Sequence, residues 1–551
     1  MAAHIDTGSI EHPDHYKSKN INHLGLVAGM CDELGIVETI DRLIPQDHEQ
    51  RNVSIGQAVK AMILNGLGFT NRALYLMPHF FQDKPVERLL GADIAAEHLN
   101  DDTLGRALDA IYDYGPSELF SHCSIQTVTR LGLQPRCGHL DSTSIHADGK
   151  YNSDEEEQDD VIKITNGYSR DHRPDLNQLV LQLICEQQAG IPLLMETLSG
   201  NKTDKDSFRN TIKGHIGQLK TDFGMEYFVA DSALYVAETL KEMNNIWWIS
   251  RVPETIKAAR DAIDSVATDL MKNPAEPASC SLDSVYADVK QRWVVVYSPQ
   301  ANRRAEKTVN KKMLENTTKE LKAFDELCKR EFACEADAVK ALIILKKNLK
   351  FSVVDEVQIN ALPHFQNKGR PAKGVKPDFY TYQIKGVLAS QIAPRNTMLQ
   401  RKSCFIIATN QLDEEALTDE DLLESYKKDQ QKVERGFRFL KDPMFMASTL
   451  FLKSPERIMA LMMVMTLCLT VYAALEHRIR EALRLNETTF PDQKGKPTAK
   501  PTARWVFQYF TGIHVLIIGC MRELILNINE LHLALLAILG ERYQHMYADS
   551  G

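Results

Sequence analysis

The chain has 551 residues, 44% of them hydrophobic and 25% charged, as in a soluble globular protein with room for roughly two to four domains. Its net charge of −9 argues against a surface coated in nucleic-acid contacts. The ten cysteines form no C-x-x-C pair and have no zinc-site spacing, so they read as reduced thiols of the cytoplasm rather than a disulfide framework.

The N-terminus, MAAHIDTGSIEHPDHYKSKN, lacks the basic start and apolar run of a signal peptide. Residues 20 to 134 are expected to be helical. SIGQAVKAMILNGLGF opens on Ser54 as an N-cap, and DDTLGRALDAIYDYGPSELFSHCSIQTVTRLGL continues the helical spacing. This suggests a helical N-terminal domain over 1–134.

The period changes near residue 138. CGHLDSTSIHADG reads as a strand, and SDEEEQDD after it as a solvated loop. QLVLQLICEQ and IPLLMETLSG, separated by QAG, read as a hairpin. A helix follows (DKDSFRNTIKGHIGQLK), then a short buried strand ending at Asp231 (MEYFVADSALY), a helix (VAETLKEMNN) and a strand (IWWISRVP). Three strands followed by alternating helix and strand give an α/β fold over 135–253, a mixed sheet with helices on its faces.

Residues 254–400 interrupt this pattern and read as an inserted, β-rich α+β subdomain. Its strand-like runs are SVYADVKQRWVVVYSP, FSVVDEVQIN and FYTYQIKGVLAS. Lys340 to Lys402 holds 12 cations and 3 acidic residues, a local +9, so the remainder of the chain is near −18. Such a segment is a candidate phosphate-facing surface, although a solvated Lys-rich insertion has the same composition. Within it, KGRPAKG carries Lys368, Arg370 and Lys373. It resembles the core of a minor-groove hook, or is a basic exposed turn.

SCFIIATN is expected to return to the core as a strand, with TDEDLLESYKKDQQKVERGFRFLK as the long helix after it, over 401–480. Ile458 to Leu475 carries no charge over 18 residues, the lower edge of a membrane span. Its Thr466, Thr470 and Tyr472 favour a helix buried in a soluble core. Residues 481–551 are expected as a C-terminal helical region, a candidate for dimerisation.

Three carboxylates stand out: Asp141 in the first strand, Asp231 at the end of a buried strand, and Glu434 on the late helix. An acid within an apolar strand is costly unless it is paired or binds a cation. If the two strands lie side by side, the repulsion between Asp141 and Asp231 calls for a divalent metal. Hard oxygen ligands suit Mg²⁺ or Mn²⁺. Two ions about 3.5–4 Å apart could activate an attacking oxygen and stabilise a leaving one at phosphorus. Taken singly, each aspartate reads as a strand-end or capping residue. Trp247 and Trp248 could stack on an extruded base or fill the core. His139 and Thr143 share the face of Asp141 in a regular strand. Asn201, Asp204 and Asp206 read as caps of the following helix.

LDSTSIH, VADSALY and above all VERGFRFLKDPMF resemble the DDE transposases of bacterial insertion sequences, in the insertion-sequence-four-like superfamily, over roughly 135–475. The first 120 residues resemble, more weakly, the helical N-terminal region of one branch of that superfamily. The resemblance implies a ribonuclease-H-like core with Asp141, Asp231 and Glu434 as catalytic metal ligands, holding two Mg²⁺ (or Mn²⁺) ions. It also implies a Tyr-Arg-Glu-Lys pattern around the glutamate. Lys441 fits that spacing, but Gln430 stands in place of the arginine and Tyr426 lies one residue too early. In a regular helix Lys427, Gln430, Glu434, Arg438 and Lys441 fall within about 40° of one line, and Tyr426 about 80° away, over the apolar Val433/Phe437 stripe. A one-residue π-bulge would restore Tyr426 to the line. Tyr426, Lys427, Gln430, Arg438 and Lys441 are therefore the candidate DNA contacts on this helix, with Lys368, Arg370 and Lys373 in the insertion.

The resulting expectation is a DNA transposase that cuts at terminal inverted repeats and joins the freed 3′-OH to target DNA. It would work as a homodimer on paired ends, in the bacterial cytoplasm at the nucleoid. The rivals are a metal-dependent nuclease on the same core without strand transfer, and a non-catalytic DNA-binding descendant.

Overall fold

The computed structural model describes residues 16–46, 51–69, 73–147, 151, 161–169, 173–243, 245–366, 375–442, 452–519 and 522–550, with backbone alone at 204–206, 212 and 428–433. Two compact units form: Met1–Ser250 with Glu415–Gly551, and Arg251–Glu414.

The first unit opens with β1 (Tyr16–Asn20) and a helical layer: α1 (Leu24–Leu34), α2 (Ile36–Leu43), α3 (Ile55–Gly66), α4 (Met77–Phe81), α5 (Val86–Leu90), α6 (Asp101–Tyr114) and α7 (Pro116–Leu131). Local chemistry sets the boundaries. Ser54 and Gln57 form a reciprocal capping box at the start of α3. Gly35, at φ 68°, ends α1 and lets α2 start in a new direction.

Then come β2 (Cys137–His146), β3 (Gln178–Glu186), β4 (Pro192–Ser199), α8 (Asp204–Phe223), β5 (Tyr227–Ala230), α9 (Ala237–Glu242) and β6 (Trp247–Arg251). This is the expected order. The strands lie as β4-β3-β2-β5-β6. β2, β3 and β4 form an antiparallel meander, while β5 pairs parallel to β2 and β6 parallel to β5. The parallel pairs need crossovers, and α8 and α9 supply them. A meander whose first strand is followed, on its free side, by two successive strands parallel to it is the ribonuclease-H-like arrangement. β3 is buried along its whole length, as expected of a strand covered on both faces. The β3–β4 turn is tied by buried Glu186, whose carboxylate accepts the backbone N–H groups of Ala189 and Ile191, each at 2.8 Å.

The second unit holds α10 (Lys257–Leu270), β7 (Ala278–Tyr286), β8 (Val289–Tyr297), α11 (Pro299–Lys329), β9 (Glu331–Phe332), α12 (Glu335–Asn348), β10 (Ser352–His364), β11 (Phe379–Ser390), α13 (Ile392–Ser403) and β12 (Cys404–Thr409). One expectation is corrected here. SVYADVKQRWVVVYSP is not one strand: it holds the end of β7, a turn at Ala287 and Asp288 with φ 55° and 61°, and β8. SCFIIATN forms the expected core strand, β12, antiparallel to β8, which is buried at nearly every position. A separate core joins Phe324, Leu327, Phe332, Leu342, Val354 and Ile384.

The chain then returns to the first unit through α14 (Asp419–Glu424), a π-helical turn at Ser425–Asp429 and α15 (Gln430–Leu440). Next is α16 (Pro455–Leu485), whose most apolar window is 78% buried. It packs against α1, α3, α6, α7 and β4, and so serves as a core helix. After it come β13 (Phe490–Pro491), β14 (Pro497–Thr498), α17 (Ala503–Tyr509), β15 (His514–Ile518), β16 (Arg522–Leu526), α18 (Glu530–Leu539) and α19 (Glu541–Met546). The stretch 481–551 is therefore not helical throughout. The alternating, β-branched HVLII pairs with both β16 and β1.

The two ends of the first unit interlock. A Cβ added at Gly29 would lie 2.9 Å from the Tyr543 ring, and one at Gly25 2.7 Å from the Tyr547 ring. The Tyr547 hydroxyl donates to the Asn22 carbonyl at 2.6 Å, and the Tyr543 hydroxyl to Glu33 at 2.5 Å.

Candidate active site

Asp141 and Asp231 reach one place by strand register. Leu140 pairs with Ala230 across the parallel β2–β5 ladder, and each aspartate is the next residue. Backbones in such a ladder lie about 4.8 Å apart, and the positions after a matched pair share a face. Both aspartates are half-buried. Asp141 accepts the Ser142 N–H at 2.7 Å, and Asp231 the Ala233 N–H at 2.8 Å. The Asp231 carbonyl accepts the Ser250 hydroxyl of β6 at 2.8 Å, which fixes the strand end.

Glu434 comes from α15, which packs against β2, while the π-helical turn packs against β5. Phe437, Phe439 and Leu440 are buried beneath the helix, and Glu434, Arg435 and Arg438 are exposed. Gly436 allows a close approach to α16, since a Cβ there would lie 3.0 Å from Leu469. Phe439 stacks on Tyr472 with ring centroids 4.4 Å apart, and Arg504 donates to Asp442 at 2.7 Å. The helix is thus pinned along one side and at its end.

The π-helical turn at Ser425–Asp429 bears directly on the displaced tyrosine. A one-residue widening rotates the chain before it by about 100° relative to the helix after it. That turns Tyr426 back toward the Glu434 stripe and Lys427 away from it. The regular-helix placement of these two residues is corrected accordingly. Both are half-buried, and burial lowers the pKa of the Lys427 ammonium.

The structure brings two of the three acids together. Among the described residues, no group of three or more His, Cys, Asp or Glu side chains is placed to hold a metal ion. Glu434 lies on an exposed helical surface and does not close a three-carboxylate cage with Asp141 and Asp231. The donor chemistry still suits a hard cation: two half-buried carboxylates on adjacent strands, with a third carboxylate on a helix packed against the same strand.

Other expected residues fall as follows. Arg438 is exposed and Lys441 half-buried. The Gln430 side chain lies outside the described residues, as do Lys368, Arg370, Lys373 and the SDEEEQDD run. Trp248 is fully buried against Tyr235, whereas Trp247 is 41% exposed. His139 and Thr143 are buried. Asn201 is exposed, and the Asp204 and Asp206 side chains lie outside the described residues.

Sequence reasoning missed Arg480 and Arg504. With Arg435 and Arg438 they line a cleft of about 590 Å³ beside α15, together with Asp442 and Glu476. Arg480 pairs with Glu476 at 2.6 Å. Their separation in sequence left no local signal, because they come from α16 and α17.

The fold is that of a ribonuclease-H-like protein. Residues 132–471, well over half of the chain, match the family described as transposase DDE domain, and the chain belongs to that family. It is a DDE transposase, a divalent-metal-dependent enzyme acting on DNA. Residues 16–125 match a domain of unknown function, DUF4277. Among solved structures, a piggyBac transposase synaptic complex with hairpin DNA is similar over 90% of this chain and 82% of that one, at 8% identity and a TM-score of 0.34. No curated protein matches.

Proposed function

We propose that Asp141, Asp231 and Glu434 are the metal-binding acids of this transposase, holding two Mg²⁺ (or Mn²⁺) ions beside the middle of β2 and the end of β5. The observation that carries this reading is the register that sets Asp141 beside Asp231. Two half-buried anions on one sheet face repel each other, and a shared dication offsets that repulsion. When bound, the two ions supply an activated oxygen nucleophile and charge stabilisation at the leaving oxygen.

The protein's own residues position the DNA. Arg438, one turn beyond Glu434, can grip a phosphate bidentately, and Lys441 adds a point charge. Tyr426, brought toward that stripe by the wide turn, and Gln430 take the strand beside the scissile bond. Lys427 lies behind them. Lys368, Arg370 and Lys373 contact DNA from the second unit. The substrates are the terminal inverted repeats of the mobile element and a target duplex, and the working form is a homodimer on paired ends. The enzyme acts where chromosomal DNA is, in the bacterial cytoplasm.

The test combines a labelled element end, unlabelled target DNA and Mg²⁺. Joined product supports strand transfer. Nicks without joined product would leave a nuclease.

A further inference from the structure

The basic surface of the second unit is larger than any one stretch of sequence suggests. The first half of α11, Pro299–Met313, carries five cations and one carboxylate. α13 carries three cations and no carboxylate. These segments are some ninety positions apart, yet the helices pack side by side. Arg395 Nε donates to Asn310 at 2.9 Å, and the Ser403 hydroxyl to Asn302 at 2.9 Å. Together they bring a charge of +7 onto two neighbouring helices of a chain whose net charge is −9.

The charge is also directed outward. α11 buries Ala305, Val309, Phe324 and Leu327. At about 100° per residue, Arg303, Arg304, Lys307 and Lys311 occupy a sector of about 100° on the opposite side. All four are exposed. Of the five α11 cations, only Lys311 has a carboxylate within ion-pair distance among the described residues, Glu315 at 4.0 Å. On α13 Arg401 is paired with Asp264 of α10, whereas Arg303, Arg304, Lys307 and Lys312 of α11 have no such ion pair among the described residues. A row of this kind in an acidic protein is held against self-repulsion for no structural gain, and its complement is a polyanion.

We propose that the α11–α13 ridge is a sequence-independent binding surface for the phosphate backbone of duplex DNA, formed within the second unit alone. The inference rests on the reading of the protein as an enzyme acting on DNA. It assigns backbone contact to folded helices, in addition to the KGRPAKG segment. The ridge presents cations and no aromatic side chains from α11, so it positions DNA without reading bases.

The test uses the full chain, without divalent metal so that DNA stays intact, and a labelled duplex of random sequence. The variant R303Q/R304Q/K307Q/K311Q is expected to bind about 10–100-fold more weakly at 0.1 M salt, with a log–log salt slope shallower by about 3–4. The control K340Q/K346Q/K347Q/K350Q, which changes net charge equally on α12 and just beyond it, is expected to keep affinity and slope near the parent's. Equal losses in both variants, or an unchanged slope in the first, overturn the proposal. So does polyglutamate displacing the duplex at equal charge concentration, which would mark the ridge as a dock for an acidic protein. A parent that binds no duplex sinks the DNA reading itself. Should the fourfold variant melt early, Lys307→Glu alone must still shift the slope.

Discussion

Asp141 and Asp231 each stand one residue beyond a matched pair, Leu140 and Ala230, on neighbouring parallel strands. Their repulsion in the absence of cation makes a measurable prediction. Asp231→Asn keeps the N–H acceptor that ties the turn and removes one charge. Its metal-free Tm should rise by about 2–4 °C. Millimolar Mg²⁺ should raise the Tm of the parent but not that of the variant. DNA cleavage should be lost in Asp141→Asn, Asp231→Asn and Glu434→Gln, with duplex binding retained. Full cleavage by any one of them removes that residue from the site.

The π-helical turn can be tested by taking it out. Deleting Asp429 would let the helix run regularly from Asp419 to Leu440 with Tyr426 seven positions before Glu434, about 20° from it, so the tyrosine keeps its place on the Glu434 stripe. Cleavage should therefore be largely retained, with far-ultraviolet circular dichroism unchanged. Loss of cleavage in the deletion variant would show that the widened turn does more than absorb one extra residue.

Arg438→Ala and Lys441→Ala should each weaken binding to an element end and make the salt slope shallower by about 1. Competition assays at two or more salt concentrations measure this. Identical slopes for parent and variants would place both cations away from phosphate.

A pH effect follows from Glu196 of β4, which stands in register with Gln182 of β3 and Ser142 of β2 on the sheet face opposite Asp141. His215 lies 3.0 Å from Glu196, whose hydrogen bond raises the imidazole pKa above its ordinary 6.5. A raised folded-state pKa stabilises the fold fully below pH 6.5, and the contribution is lost as pH rises through the raised value. Melting curves of parent and His215→Asn should therefore differ most in mild acid and converge in mild base. A constant gap across that range would mean that packing, not charge, is what the variant lost.

The meander and the helix–strand alternation were readable because period and turn residues agreed, as at QAG. Asp141 was readable as an acid within a strand, and Asp231 as an acid at the end of an apolar run. The bulge left a trace too: Tyr426 was one residue out of step, and that extra residue is accommodated in the wide turn. The β7–β8 hairpin was hidden because Ala287 and Asp288 occupy left-handed backbone positions that usually signal themselves with Gly or Asn. The α11–α13 ridge and the Arg480/Arg504 cleft could not be read, since each joins residues that only packing makes neighbours. The exposed position of Glu434 relative to the aspartates was likewise set by how α15 lies on β2, a matter of tertiary contacts.

The glycines of α1 that receive Tyr543 and Tyr547 have a kinetic consequence. A ribosome adding about 5–20 residues per second needs roughly half a minute or more to travel from the first helix to the rings that seal it. Until then the helical layer exposes apolar surface that waits for its cover. A nascent copy is therefore exposed to aggregation during synthesis, and clipping the final turn should leave a product that aggregates rather than one that merely lacks a tail.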